Sequence, residues 1–468
     1  FSEKRYDVYL MEKYKKYSFV IWGAGKYLKS ISYMINPQIN ICTVVDSDKN
    51  KWGKKIGIGD KSFVCQNPAD IHIKEDMVVL VAVQSQEVLS TVKEKLSARK
   101  VVVLHINEFL KEYMPLYEKE QIGLYDETMQ NIDEDINYNL IKCFITISVP
   151  IDFCNLQCEY CYVGQNNGFH KKEIMYHSPE FIRKALSRKR IGGTAFINLC
   201  GTGETFLCRE LVPIIKELLN EGHYISIITN ALVMPEIDKL LKNEYVDHLF
   251  FKCSFHYIEL KKKGLLSLFS NNVNRMRRCG ASVSVEMVPY DDLIPLIDEI
   301  KEYSIREFGA LPHLTVARDE REESLPLLTG LSEKEYDETW SVFDSDMFTY
   351  KLKKREKQEG YCIAGKGTFL LHLDTGSAYY CPQNKNVANI YENIFKPIDI
   401  EAIGYGCESP YCINAHAYLT LGMVETENEY SYLDIRDREC KDGSHWVKES
   451  MAYIMKQRIC DNLKGDKA

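Results

Sequence analysis

Between residues 144 and 316 six short apolar segments recur, at 144–149, 195–199, 224–228, 249–253, 283–287 and 314–316, with helix-forming stretches between them. No feature of the chain restricts its fold more. Apolar runs of this length, bounded by turn residues, read as strands covered on both faces. The stretches between them carry helix signals. Ser178-Pro179-Glu180 offers an N-cap, a proline at the first helical position and an early acid. From Pro213 to Asn220 the side chains of Ile214, Ile215, Leu218 and Leu219 fall on one face, and Gly222 can end the helix. Six such units predict a six-stranded parallel partial (β/α)6 barrel over residues 141–320. In related barrels the loops after the C-terminal strand ends carry the chemistry.

The flanks read differently. Strand candidates at 18–22, 41–45, 77–83 and 101–104 alternate with helices, so residues 1–115 predict a Rossmann-like parallel sheet covered on its faces. Residues 116–140, charged and rich in Tyr and Asn, read as a linker, and 321–360 as a helical bridge. From 361 to 468 the pattern turns to short strands, glycine turns and cysteines. Segments 369–373 and 377–381 flank Asp374-Thr375-Gly376, a hairpin signal, and the tail reads as a small α+β domain. The class of the chain as a whole is α/β. With 59 basic and 67 acidic side chains the net charge is −8, so no broad attraction to nucleic acid is expected. No stretch approaches the ~20 apolar residues that span a bilayer. Phe1-Ser2-Glu3-Lys4-Arg5 leads into a charged segment without the apolar core of a signal peptide, so a cytoplasmic location is expected.

Sixteen cysteines are many for a chain expected in a reducing compartment, where they serve as small apolar residues or as metal ligands. Directly after the first barrel strand stands Cys154-Asn155-Leu156-Gln157-Cys158-Glu159-Tyr160-Cys161. Three thiolates on one such loop can grip three corners of a [4Fe–4S] cube and leave the fourth iron without a protein ligand. An open metal position can bind and polarise a small molecule. The plain alternatives are buried thiols or structural zinc. Zinc usually takes four Cys or His ligands, and the nearest candidate, His170, is not well placed by spacing.

This C-x3-C-x2-C run, with an aromatic before its last cysteine, resembles the signature of the radical S-adenosylmethionine (radical SAM) enzymes. The resemblance implies a partial barrel and a [4Fe–4S] cluster held by Cys154, Cys158 and Cys161. It further implies SAM chelated to the open iron, reductive cleavage to a 5′-deoxyadenosyl radical, and hydrogen abstraction from a substrate carbon. An electron donor such as flavodoxin or ferredoxin is implied as a partner. Gly201-Thr202-Gly203-Glu204 after the second strand resembles the family's glycine-glycine-glutamate motif, with Thr205 where proline is usual. Glycines allow close backbone approach, so Gly201 and Gly203 are expected against SAM and Glu204 on its ammonium group. Tyr160, Thr229, Asn230 and Ser254 stand at further positions where the family touches the cofactor, and Arg318 at one suited to the SAM carboxylate.

In the tail, Cys362, thirteen residues, Gly376, four residues and Cys381 resemble the opening of the SPASM or twitch extension, which holds auxiliary [4Fe–4S] clusters. The usual downstream run of four close cysteines is absent. One auxiliary cluster on Cys362, Cys381, Cys407 and Cys412 is therefore expected, with Cys440 as an alternate ligand and zinc on the same four thiols as the alternative. Cys42, Cys143, Cys200 and Cys253 read as ordinary apolar thiols. Cys208, Cys253 or Cys440 is open to a second role, donating a hydrogen atom to a substrate radical.

At the front, Gly23-Ala24-Gly25 after a strand and Asp46 at the end of the next resemble a dinucleotide fingerprint whose third glycine is replaced by Leu28. A nucleotide-docking module and a purely structural one both fit. An α/β front does not resemble the winged-helix leader-recognition domain common to peptide-modifying members. The expected substrate is therefore a sugar, a nucleotide-linked sugar or another small molecule, undergoing oxidation or epimerisation. The rivals are a peptide-modifying maturase of the same superfamily and a non-catalytic, zinc-stabilised nucleotide-binding scaffold.

Overall fold

Apolar strands that alternate with amphipathic helices pair in parallel, and both sheets of this chain follow that rule. The computed structural model describes residues 16–35, 39–58, 61–83, 85–129, 136–161, 163, 175–322, 324–382, 385–424 and 430–464; the considered ligand His170 lies outside them. The chain divides into two compact units. One comprises residues 1–128, 176–181 and 391–395, and the other comprises 129–175, 182–390 and 396–468.

The first unit holds strands β1 (Ser18–Trp22), β2 (Ile41–Val45), β3 (Lys55–Ile58), β4 (Lys61–Gln66), β5 (Met77–Val81) and β6 (Val102–His105), in sheet order β3-β4-β2-β1-β5-β6. All pairs are parallel except β3 with β4. The central strand β1 buries Phe19, Val20, Ile21 and Trp22. Where the sequence predicts a linker from residue 116, the structure instead continues a helix, Ile106–Thr128. Its buried stripe of Ile106, Phe109, Leu110, Tyr113, Met114, Tyr117 and Tyr125 keeps helical spacing once tyrosine counts as apolar.

The glycine turn after β1 is braced from within. Asp46 accepts from the Ala24 N–H at 2.6 Å and from Lys51 Nζ at 2.8 Å through Oδ2, and from the Asp48 N–H at 2.8 Å through Oδ1. Burial acts to raise the Asp46 pKa, but the Lys51 ammonium and these N–H groups outweigh it and hold the carboxyl below its usual range. The Asp46 carboxylate is committed to the turn itself.

The second unit carries β7 (Ile141–Val149), β8 (Thr194–Gly201), β9 (Tyr224–Thr229), β10 (Leu249–Ser254), β11 (Ser282–Met287) and β12 (His313–Leu314), followed by β13 (Thr368–His372), β14 (Ser377–Tyr379) and β15 (Asn386–Asn389). The order is β12-β11-β10-β9-β8-β7-β13-β14-β15. Strands β7 to β12 are parallel in sequence order, as expected of a partial barrel. β13 adds in parallel on the far side of β7. The predicted hairpin is present as antiparallel β13 and β14, turning at Gly376 with φ +69°.

Residues 361–390 and 396–468 share this unit with the strands of the array. Phe144, Phe196 and Phe250 of β7, β8 and β10 pack in one core with Tyr418, Tyr432, Met451, Ile454 and Ile459 of the tail. The predicted bridge holds helices Glu333–Trp340, with a Ser332/Glu335 capping box, and Asp346–Lys353. Helix Leu211–Asn220 buries Leu211, Val212, Ile214, Ile215, Leu218 and Leu219 and ends where Gly222 takes φ +92°. Each such burial contributes roughly 1.5–3 kcal/mol. Among the described residues, no helix is long and apolar enough to cross a membrane.

Candidate active site

The loop leaving β7 brings Cys154, Cys158 and Cys161 to one wall of a cavity of about 330 Å3 at the C-terminal ends of β8, β9 and β10. Parallel strands present those ends on one side, which is why residues from the segments after all six strands, β7 to β12, meet here. Burial pushes the Cys154 thiol up to about 11 and the Cys158 thiol to about 12, and the neighbouring cysteines add to each rise. Thiols so reluctant to ionise become thiolates when a cation supplies the missing charge. The donor set, three cysteines on one short loop facing a cavity, therefore fits a metal centre. Among the described residues, no group of three or more Cys, His, Asp or Glu is spaced for a single metal ion.

The glycine motif holds this loop. A Cβ on Gly203 would lie 2.1 Å from the Phe153 carbonyl oxygen, so only glycine permits the contact. The Gly203 N–H donates to the Ile151 carbonyl at 2.6 Å, and the Glu204 N–H to the Phe153 carbonyl at 2.9 Å. On Gly201 a Cβ would meet Ile151 Cγ2 at 2.7 Å. The close backbone approach that the glycines serve is thus one to the cysteine loop.

Glu204 is 3% exposed and ties two loops together. It accepts from the Thr229 hydroxyl at 2.7 Å, the Asn230 N–H at 2.7 Å and the Phe206 N–H at 3.2 Å. Burial still raises its pKa over these hydrogen bonds. Thr229 Oγ1 also accepts from the Ala231 N–H at 3.0 Å, so its hydroxyl is engaged on both sides within the chain. Asn230 donates through Nδ2 to Asn155 Oδ1 at 2.6 Å, with Cys154 Sγ at 3.8 Å. Thr229, Asn230 and Glu204 all line the cavity, and their polar atoms form a brace from β9 to the cysteine loop.

Tyr160, Ser254 and Arg318 line the same cavity. Arg318 pairs with Glu320 at 2.9 Å. The Tyr160 hydroxyl is hydrogen-bonded to His256 Nδ1, and its ring lies 4.3 Å from that of Tyr290. Burial lowers the His256 pKa to about 4, so this imidazole is neutral at pH 7. His256 escapes sequence reading because one histidine after a strand matches no motif.

A second cavity of about 510 Å3 lies deeper and shares Cys200, Gly201, Thr202, Ser254, His256 and Arg318 with the first. Cys200, read from sequence as an ordinary strand thiol, therefore faces both. Cys208, Cys253 and Cys440, considered as hydrogen donors, are buried and line neither.

In the tail, Cys362, Cys381, Cys407 and Cys412 line one small cavity of about 50 Å3. The Cys362 segment is fixed by hydrogen bonds in both directions with Gly404. Burial pushes the Cys362 thiol up to about 11, helped by Cys407 and Cys381, and raises Cys412 for the same reason with all three other cysteines contributing. Four mutually interacting thiols around one cavity fit a metal centre. Cys440 is not among them; its Sγ accepts from Arg277 Nη2 at 3.2 Å. The larger cavity also touches Pro382 and Ile413, which stand next to Cys381 and Cys412.

The family model described as "Radical SAM superfamily" matches residues 148–253, from the end of β7 into β10. No curated protein matches the chain. Among solved structures, the chain is similar to SuiB of Streptococcus suis bound to S-adenosylmethionine, at 13% identity and TM-score 0.40, over 66% of this chain and 74% of that one. It is similar to the same protein bound to precursor peptide SuiA, at 12% identity and TM-score 0.39, over 58% and 66%. A third is native anSMEcpe with bound AdoMet, at 16% identity and TM-score 0.41, over 54% and 80%. Superpositions this loose carry no residue role from those proteins to this one.

Proposed function

We infer that this chain, which carries a radical SAM domain over residues 148–253, holds a [4Fe–4S] cluster on Cys154, Cys158 and Cys161 and binds SAM in the adjoining cavity. In this reading it abstracts a hydrogen atom from a sugar, a nucleotide-linked sugar or another small molecule, leading to oxidation or epimerisation. The observation that carries the reading is the set of three loop cysteines facing a cavity that shares a wall with a larger one. When bound, the cluster and SAM supply a carbon-centred radical, and a second cluster on Cys362, Cys381, Cys407 and Cys412 supplies an electron acceptor.

The chain's own residues position and shield. Gly203, Glu204 and Asn230 fix the cysteine loop from two sides, so the open side of the thiol tripod faces the cavity. Arg318 presents guanidinium donors suited to a carboxylate. Neutral His256, oriented by Tyr160, lines the junction with the deeper cavity, where the substrate carbon would sit. Those walls are formed largely by strand ends.

The test is anaerobic turnover in deuterated water with a chemical reductant, SAM, and candidate sugar nucleotides or peptides. The reading predicts 5′-deoxyadenosine release coupled to change in a small molecule, seen as loss of two hydrogens or gain of one deuterium. Modification of peptides alone would overturn the substrate class, and no deoxyadenosine would overturn the chemistry.

A further inference from the structure

We propose that the deeper cavity receives a dianionic group of the substrate, phosphoryl or dicarboxylate, held by Lys252, Lys351 and Arg436. The proposal rests on the reading above and adds the charge of the molecule that is acted upon. Although the whole chain is net acidic, this cavity is lined by four cations, Lys252, Lys351, Arg318 and Arg436, against two carboxylates, Glu286 and Glu320. The excess is two positive charges inside a low-dielectric wall, where a field is focused rather than screened.

The cations are supplied by separate elements and converge. Lys252 comes from β10, Lys351 from helix Asp346–Lys353 and Arg436 from the tail. Arg436 is 1% exposed; its Nη1 pairs with Glu286, while its Nε has no hydrogen-bond partner among the described residues. Lys252 is 5% exposed and donates to neutral Asn198 Oδ1 at 2.5 Å. Lys351 donates to neutral Thr315 Oγ1 at 2.5 Å. A buried and a half-buried ammonium group, each donating to a neutral acceptor, are costly unless a counter-ion arrives. Burial, followed by the nearby arginines, lowers the Lys252 pKa to about 8 and that of Lys351 well below its ordinary value. Among the described residues, His416 Nδ1, on the same wall, has no hydrogen-bond partner. A bound dianion would accept from these donors together and favour the charged form of both lysines.

The experiment is calorimetric titration of the anaerobically reconstituted, SAM-loaded full chain with pyrophosphate, with succinate and with glucose. Iron is counted in the same samples. Pyrophosphate or succinate should bind at least about tenfold more tightly than glucose, a difference of about 1.4 kcal/mol. Preference for pyrophosphate assigns a phosphoryl group, and preference for succinate a dicarboxylate. Lys351→Met and Lys252→Met, which keep the stem and remove the charge, should each weaken the preferred anion about tenfold or more. The proposal is overturned if neither dianion outbinds glucose, or if both variants bind like the unmodified chain. Iron-loaded protein without anion binding overturns this inference alone, whereas iron-free protein that binds the anion overturns only the cluster reading.

Discussion

At Gly203 a single methyl group decides whether the cysteine loop can close. The backbone of Phe153 lies where a Cβ would go, and Cys154 follows directly. Gly203→Ala must push that backbone outward and move the tripod by a fraction of a bond length or more. Displacement on the order of 1 Å costs roughly a hundredfold in rate. Deoxyadenosine formation should therefore fall by about that factor, with less iron retained per chain and a largely unchanged circular dichroism spectrum. Equal activity would show that the loop is not held this way. At this scale the sequence reveals the thiols and the glycines, because spacing alone groups them. It does not reveal Lys252, Lys351, Glu286 or Arg436. Each is one charge in its own segment, and only the fold brings them to one cavity.

Strands β7 to β12 are legible as short apolar runs because parallel strands bury both faces. β3 and β4 are missed, since Lys55–Ile58 and Lys61–Gln66 alternate exposed and buried positions and carry lysine and glycine at the sheet edge. The helix Ile106–Thr128 is hidden by Pro115 and by a stripe built largely of tyrosine. The shared core of strand array and tail is invisible for another reason: contacts some three hundred residues apart leave no local pattern. Helix Ile459–Lys464 shows the coupling. Lys142 Nζ donates to the Asn462 carbonyl at 2.7 Å, Asn462 Nδ2 donates to the Ile141 carbonyl at 2.8 Å, and Ile459 is fully buried beside β7. Ile459→Ala should lower the stability of this unit by roughly 2–5 kcal/mol, read from denaturant midpoints. A loss below about 0.5 kcal/mol, the size of ordinary surface substitutions, would mean that the tail does not help to hold the array.

Across the whole molecule, burial keeps a set of histidines neutral: it lowers the pKa of His177, His313 and His416, and takes His223 and His256 to about 4. His223 accepts from the Ala195 N–H at 3.1 Å and meets the Leu186 carbonyl at 2.8 Å through Nε2. Between about pH 6.5 and 4 the unfolded chain binds protons that the native one refuses, so stability is full above this window and is lost as pH falls through it. Each group contributes a slope of up to about 1.4 kcal/mol per pH unit. Urea midpoints should drop steeply from pH 7 to about pH 5, less so in His223→Gln, and a flat profile would contradict this burial. The central claim concerns the tripod of cysteines. Its most direct measurement is iron and acid-labile sulfide in anaerobically reconstituted protein, beside a Cys154→Ala, Cys158→Ala, Cys161→Ala triple variant, with deoxyadenosine followed in both. The unmodified chain should hold about four more irons and four more sulfides than the variant and alone release deoxyadenosine. Zinc without sulfide, or undiminished deoxyadenosine from the triple variant, would contradict the account.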